Sequence, residues 1–159
     1  MTAHNLRQSV TISQEPRDEL YRAILRESLQ HCLRFSLVQA TDRSIHDSAK
    51  LILSQLSPHL ATEQIVSEWP GTRLLKGTAT LRQYELCEAS LTTLERAAQG
   101  FYDWCQPERP EDLVFWRPSN EPWLVTIAHE QDAYFEVTPN EQDALVRAIP
   151  DLLSLIVIK

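Results

Sequence analysis

Residues 112–137 read DLVFWRPSNEPWLVTIAHEQDAYFEV, and this stretch decides the fold. Two runs rich in β-branched and aromatic residues, Leu113–Arg117 and Trp123–His129, flank the breakers Pro118, Ser119, Asn120, Glu121 and Pro122. A third run, Ala133–Val137, follows the polar step Glu130, Gln131 and Asp132. Proline removes a backbone donor, so Pro118 and Pro122 end one strand and admit the next only after a turn. The pattern predicts a three-stranded meander.

Upstream, Glu88–Cys105 carries Leu91, Leu94, Ala98, Phe101 and Cys105 at helical spacing, which predicts one long helix closed by Pro107 and Pro110. Downstream, Thr138-Pro139-Asn140-Glu141 is a capping box with proline at the first helical position. Its helix runs to Ile149, and the apolar run Leu152–Ile158 predicts a final strand or a tail packed on the core.

The first half of the chain continues the scheme. Ser9–Ser13 is β-like, so residues 1–15 are an arm or an edge strand, and residues 16–159 form one domain. Pro16 opens a helix whose stripe of Leu20, Tyr21, Ile24, Leu25, Leu29 and Cys32 predicts its extent. Leu33, Phe35 and Leu37 then alternate as a strand. Thr41, Asp42 and Ser44 offer caps for a helix over Ile45–Leu56, which Pro58 stops. Glu63–Trp69 and Thr78–Leu86 are strands, and Pro70-Gly71 suits a turn whose second residue needs positive φ. The fold class is α+β: a single domain with a mostly antiparallel sheet, a C-terminal three-stranded meander and about four helices.

Composition limits the function. Of 159 residues, 43% are hydrophobic and 23% charged, which suits a folded domain of this length. The net charge is −7, and it is uneven: residues 1–60 carry seven Lys/Arg against six Asp/Glu, whereas 61–112 carry five against nine and 113–159 three against seven. An acidic surface repels a phosphate backbone, so nucleic acid is not an expected partner; a basic protein is. Residues 1–20 lack the apolar core of a signal peptide, and no apolar run approaches a membrane span. Cys32, Cys87 and Cys105 form an odd set with no CxxC pair, consistent with free thiols in a reducing cytoplasm.

The chemistry-bearing residues give two candidate sites. His129, Glu130 and Asp132 bring an imidazole and two carboxylates to one turn, the residue types for general acid–base work or for a divalent metal. Strand alternation sends His129 and Glu130 to opposite faces, however, and Ala133 stands where a zinc-protease helix needs its second histidine. Trp116 and Trp123 bracket the Pro118–Pro122 loop and, with Glu121, suggest either a cross-strand aromatic pair or a binding surface. Gly71-Thr72-Arg73-Leu74-Leu75-Lys76-Gly77-Thr78 departs from the phosphate-loop spacing and is followed by a strand, so it is a loop between strands. No residue set calls for a cofactor or forms a recognised metal site.

The leading expectation is a non-enzymatic, acidic cytoplasmic binding module, inhibitor- or antitoxin-like, for a basic protein partner. The alternatives are a small hydrolase or metal-dependent enzyme using His129 with nearby carboxylates, and a small-molecule sensor with a tryptophan-lined pocket.

Overall fold

The computed structural model describes residues 6–157. The chain order is β1 (Gln8–Thr11), α1 (Glu19–Ser28), β2 (Arg34–Ala40), α2 (Asp47–Leu56), β3 (Leu60–Val66), β4 (Glu68–Trp69), β5 (Thr72–Arg73), β6 (Ala79–Glu85), α3 (Glu88–Ala97), β7 (Glu111–Trp116), β8 (Pro122–Ile127), β9 (Asp132–Val137) and α4 (Pro139–Ala148). Seven strands form one antiparallel sheet in the order β1-β9-β8-β7-β2-β6-β3, and β4-β5 is a separate hairpin. The α+β class and the meander β7-β8-β9 are as the sequence predicts. No helix among the described residues is long and apolar enough to cross a membrane.

Strand alternation sorts the sheet residues onto two unlike faces. Phe35, Leu37, Leu113, Phe115, Leu124, Phe135 and Val137 share one buried cluster with Tyr21, Ile24 and Leu25 of α1, Ile52 and Leu56 of α2, Leu91 and Leu94 of α3, and Leu145 of α4. All four helices therefore lie on this face. The opposite face holds two small clusters with no helical member: Val114, Trp116, Val125 and Ile127, and Val38, Trp69 and Ala79. The β4-β5 hairpin folds across one end of it. Gly71 sits in the hairpin turn at φ +84°, so close to Ile127 that an added Cβ would lie 2.6 Å from Cδ1 of that side chain.

Several boundaries differ from the sequence prediction, each for a local reason. The first helix begins at Glu19, not Pro16, because Asp18 ahead of it has φ 55°, and it ends at Ser28, short of Cys32. The second begins after His46, so Thr41, Asp42 and Ser44 do not cap it, and Pro58 falls in a following 3-10 turn. The third ends at Ala97 rather than Cys105. Ala98 is extended, Gly100 bridges to Arg17, and the Asp103 carboxylate accepts from the N–H groups of Gln99 and Gly100 at 2.8 and 3.1 Å. Phe101 and Trp104 still reach the core, but from a separate turn.

The capping box forms as written: Glu141 N–H donates to Thr138 Oγ1 at 3.1 Å, and Thr138 N–H donates to Glu141 Oε1 at 3.0 Å. Arg117 ties this box to the meander, donating to Glu141 Oε2 at 2.7 Å and to the Glu136 carbonyl at 2.8 Å. Burial alone would raise the Glu141 carboxyl; the Arg117 and Thr138 hydrogen bonds hold it below its ordinary value. After α4 the chain makes a 3-10 turn over Pro150–Ser154 and packs Leu152 and Ile156 on the core, so the apolar tail forms and the alternative strand does not; Ile158 lies outside the described residues.

Candidate functional site

The helix-free face carries two concavities, one at each end of β7. The first lies under the hairpin and is built on a β-bulge. Ser36 pairs with Val114 and Val38 with Glu111, so two residues of β7 oppose one of β2. Asp112 absorbs the extra length at φ 57°, a left-handed conformation uncommon for a residue with a side chain. The bulge turns its carboxylate inward. Trp69 Nε1 donates to Asp112 Oδ2 at 2.9 Å and Ala128 N–H donates to Oδ1 at 3.0 Å, so one buried side chain fastens the hairpin and the turn after β8. Neighbouring Glu111 is buried against Arg43, whose Nη1 and Nη2 meet its two oxygens at 2.9 and 3.1 Å.

His129 completes the group. It stands in a 3-10 turn over Ala128–Glu130, and one of its ring nitrogens and one oxygen each of Glu111 and Asp112 lie within 4.8 Å of one another. The cavity beside them holds about 490 Å³ and is lined by Glu111 and His129 with Arg43, Arg73, Lys76 and Thr72, while Asp112 is fully buried and does not line it. Burial raises the Asp112 carboxyl against the opposing pull of Trp69, Ala128 and His129. Burial likewise raises Glu111, with Arg43 pulling the other way. Acidic groups held neutral more readily than usual beside an imidazole can exchange protons or hold a cation. Against a cation, each oxygen of both carboxylates already accepts from a protein donor.

The second concavity, about 520 Å³, opens at the other end of β7, where no hairpin covers the sheet. Leu33, Arg34, Leu81, Gln83, Trp116 and Asn120 line it. Trp116 forms its floor at 9% exposure, held by its Nε1, which donates to Ser36 Oγ at 2.8 Å.

The sequence candidates are thus partly brought together and partly separated. His129 groups with Glu111 and Asp112, not with Glu130 and Asp132; its contact with Glu130 is 3.8 Å between exposed side chains, and Asp132 starts β9. Trp116 and Trp123 do not face each other. A register shift between Phe115 and Trp116 pairs Trp116 with Pro122 and leaves Trp123 in the helix-side core at 1% exposure, stacked on His31 at 5.0 Å. Trp123 therefore offers no binding surface, and the tryptophans share no pocket: Trp69 and Trp116 line separate concavities, while Trp104 lies in the core. Glu121 is exposed in the loop, paired with Arg7 at 2.7 Å, and that partner lowers its carboxyl.

Sequence reasoning missed two arrangements. Glu111 and Asp112 were not singled out as a site, because only the β2–β7 register buries them. Cys87 is the other. It caps α3, accepts from the Ser90 N–H, and places Sγ 3.7 Å from His59 Nδ1, a residue 28 positions away. The Ser90 N–H chiefly lowers its thiol, against burial and Glu85. Cys32 is pushed by burial to about 12, and Cys105 is raised by burial and by Glu111 and Asp112. Comparison of the chain with protein-family models, with curated proteins and with solved structures finds no match to any of them.

Proposed function

We propose that this protein is a non-enzymatic binding module that presents the uncovered half of its sheet, around Trp116, to a basic protein partner. The observation that carries this reading is the asymmetry of the sheet: four helices pack on one face, and the second concavity on the other has neither helix nor hairpin over it. Its lining mixes an aromatic floor and leucines with amide and guanidinium groups, a composition suited to a protein surface. The charge argues for the sign of the partner. Ten arginines lie within ion-pair distance of a carboxylate of the same chain. Glu136, hydrogen-bonded to Ser9, Asp132 and Asp143 stand in no salt bridge among the described residues. The net charge is negative and ten of the twelve arginines are engaged, which favours a basic partner and disfavours a phosphate backbone.

Immobilised protein tests this. A captured polypeptide should be basic, should be lost as salt rises from about 50 to 500 mM, and should be lost with Leu33→Arg but kept with Leu75→Arg. Leu33 and Leu75 are both exposed, yet only Leu33 lines this concavity. Capture indifferent to salt and to Leu33→Arg would end the reading.

A second reading rests on the convergence of His129, Glu111 and Asp112 beside the other concavity, which the first two line: a metal-dependent or acid–base enzyme with His129 as proton acceptor. It ranks behind because the two carboxylates are already occupied by Arg43, Trp69 and Ala128. Excess zinc, manganese or magnesium should raise the melting temperature of the wild type and not of His129→Ala; an unchanged wild-type melting temperature removes it.

A further inference from the structure

The two edges of the sheet are treated differently. Along β1 the C-terminal tail covers one end of the edge: Val157 N–H donates to the Thr11 carbonyl at 2.9 Å, Ser13 N–H donates to the Leu155 carbonyl at 2.6 Å, and Ile12 bridges to Ile156. Along β3 nothing does so. Leu60–Val66 pairs with β6 alone among the described residues, leaving the outer row of backbone N–H and C=O groups without a strand. A free strand edge is a template for another strand, and proteins blunt such edges with proline, lysine or very short strands. β3 has seven residues, no proline and no lysine. Its one register irregularity falls at Leu60/Thr62, so Thr62–Val66 runs regularly. Leu60 and Ile65 are 41% and 67% exposed.

We infer that this edge takes β3 of a second copy of the chain in antiparallel pairing, joining two sheets into one continuous sheet across a two-fold axis. Three features select a second copy. Antiparallel pairing of a strand with itself is two-fold symmetric, so one interface closes the assembly. The tail already occupies the Thr11–Ser13 end of the opposite edge, which leaves only a short stretch of β1 for further pairing. Charge is the third. Two chains of net charge −7 repel over most of their surface, but the only charge on β3, Glu63, is held by Arg82 Nε at 3.0 Å. With the axis through Gln64, Glu63 lies opposite Ile65 of the other copy, so no carboxylate meets its own image. A basic partner gains little from a strand whose carboxylate is already paired.

Light scattering on the full chain over about 5 to 200 µM reads this directly, because a dimer populates with concentration. The mass should rise from one chain to two. Ile65→Glu sets a second carboxylate beside Glu63 of the other copy and should hold the mass at one chain throughout, with an unchanged circular dichroism spectrum because Ile65 is exposed. Leu75→Glu, equally apolar and exposed but off the edge, should behave as wild type. A single-chain mass at every concentration overturns the inference, as does a dimer that survives Ile65→Glu or a mass that climbs past two chains. Partner capture reports on Leu33 rather than Ile65, so the two readings fail separately.

Discussion

The two faces of this sheet are stabilised by different physics. The helix-covered face is one continuous apolar core to which every helix contributes. The other face has two small apolar clusters and is closed, at one end only, by a hairpin fastened through a buried carboxylate. Apolar burial is non-directional and tolerates local change at a graded cost. A buried carboxylate is directional: it holds while its donors are in place and is costly when they are not. The first face carries stability. The second is left without a hairpin at its other end, where Trp116 lies under a concavity.

The largest expected effect tests the first half of this contrast. Phe135→Ala removes a fully buried ring that packs edge-on against Trp123 at 5.1 Å, and should cost about 3 to 5 kcal/mol in a denaturant titration. A loss near zero would mean that the helix face is not the core.

Asp112→Asn comes next. An amide can accept from only one of Trp69 and Ala128 and turns a donor toward the other, a cost of about 1 to 3 kcal/mol. The pH dependence identifies the carboxyl. A carboxyl raised in the folded state contributes fully below its unfolded value, and that contribution is lost as pH rises through the folded value. The deficit of Asp112→Asn should therefore be largest below about pH 4 and shrink as pH rises. A deficit that grows with pH over that window would reverse the assignment.

Gly71→Ala should cost less, about 1 to 2 kcal/mol, since it meets both positive φ and the Ile127 side chain. Hydrogen exchange should quicken at Trp69–Arg73 and remain unchanged in α1 and α3. Quickening in both layers would show that hairpin and core melt together.

The smallest effect leaves stability alone. Iodoacetamide should alkylate Cys87 first, with a rate that rises at lower pH than an ordinary thiol, and should spare Cys32 and Cys105 in the folded chain. Peptide mass mapping across a pH series checks the order. Equal labelling of Cys32 and Cys87 would mean that the covered face opens freely.

How much of this was legible in the sequence follows from the range of the interactions. Pro118, Pro122 and the alternation around them are local, so the meander could be read directly. Thr138 and Glu141 are three residues apart, and their box formed as predicted. The end of α3 was not legible: Ala98 and Phe101 continue a helical spacing, and what stops the helix is Arg17 bridging from far upstream. Trp123, expected to pair with Trp116 or share a surface with it, is separated from it by a register shift that no composition reveals. Glu111 and Asp112 were invisible as a site for the same reason. Their burial depends on a bulge against β2, and His129 joins them only through the turn after β8.

Hydrogen exchange on the chain alone and with the polypeptide it captures, at one chain concentration, tests the central claim most directly. The account predicts slowed exchange at Leu33–Arg34, around Gln83 and over Trp116–Asn120, with α1 and α3 unchanged. Protection confined to the helices, with the rim around Trp116 exchanging as before, would contradict it.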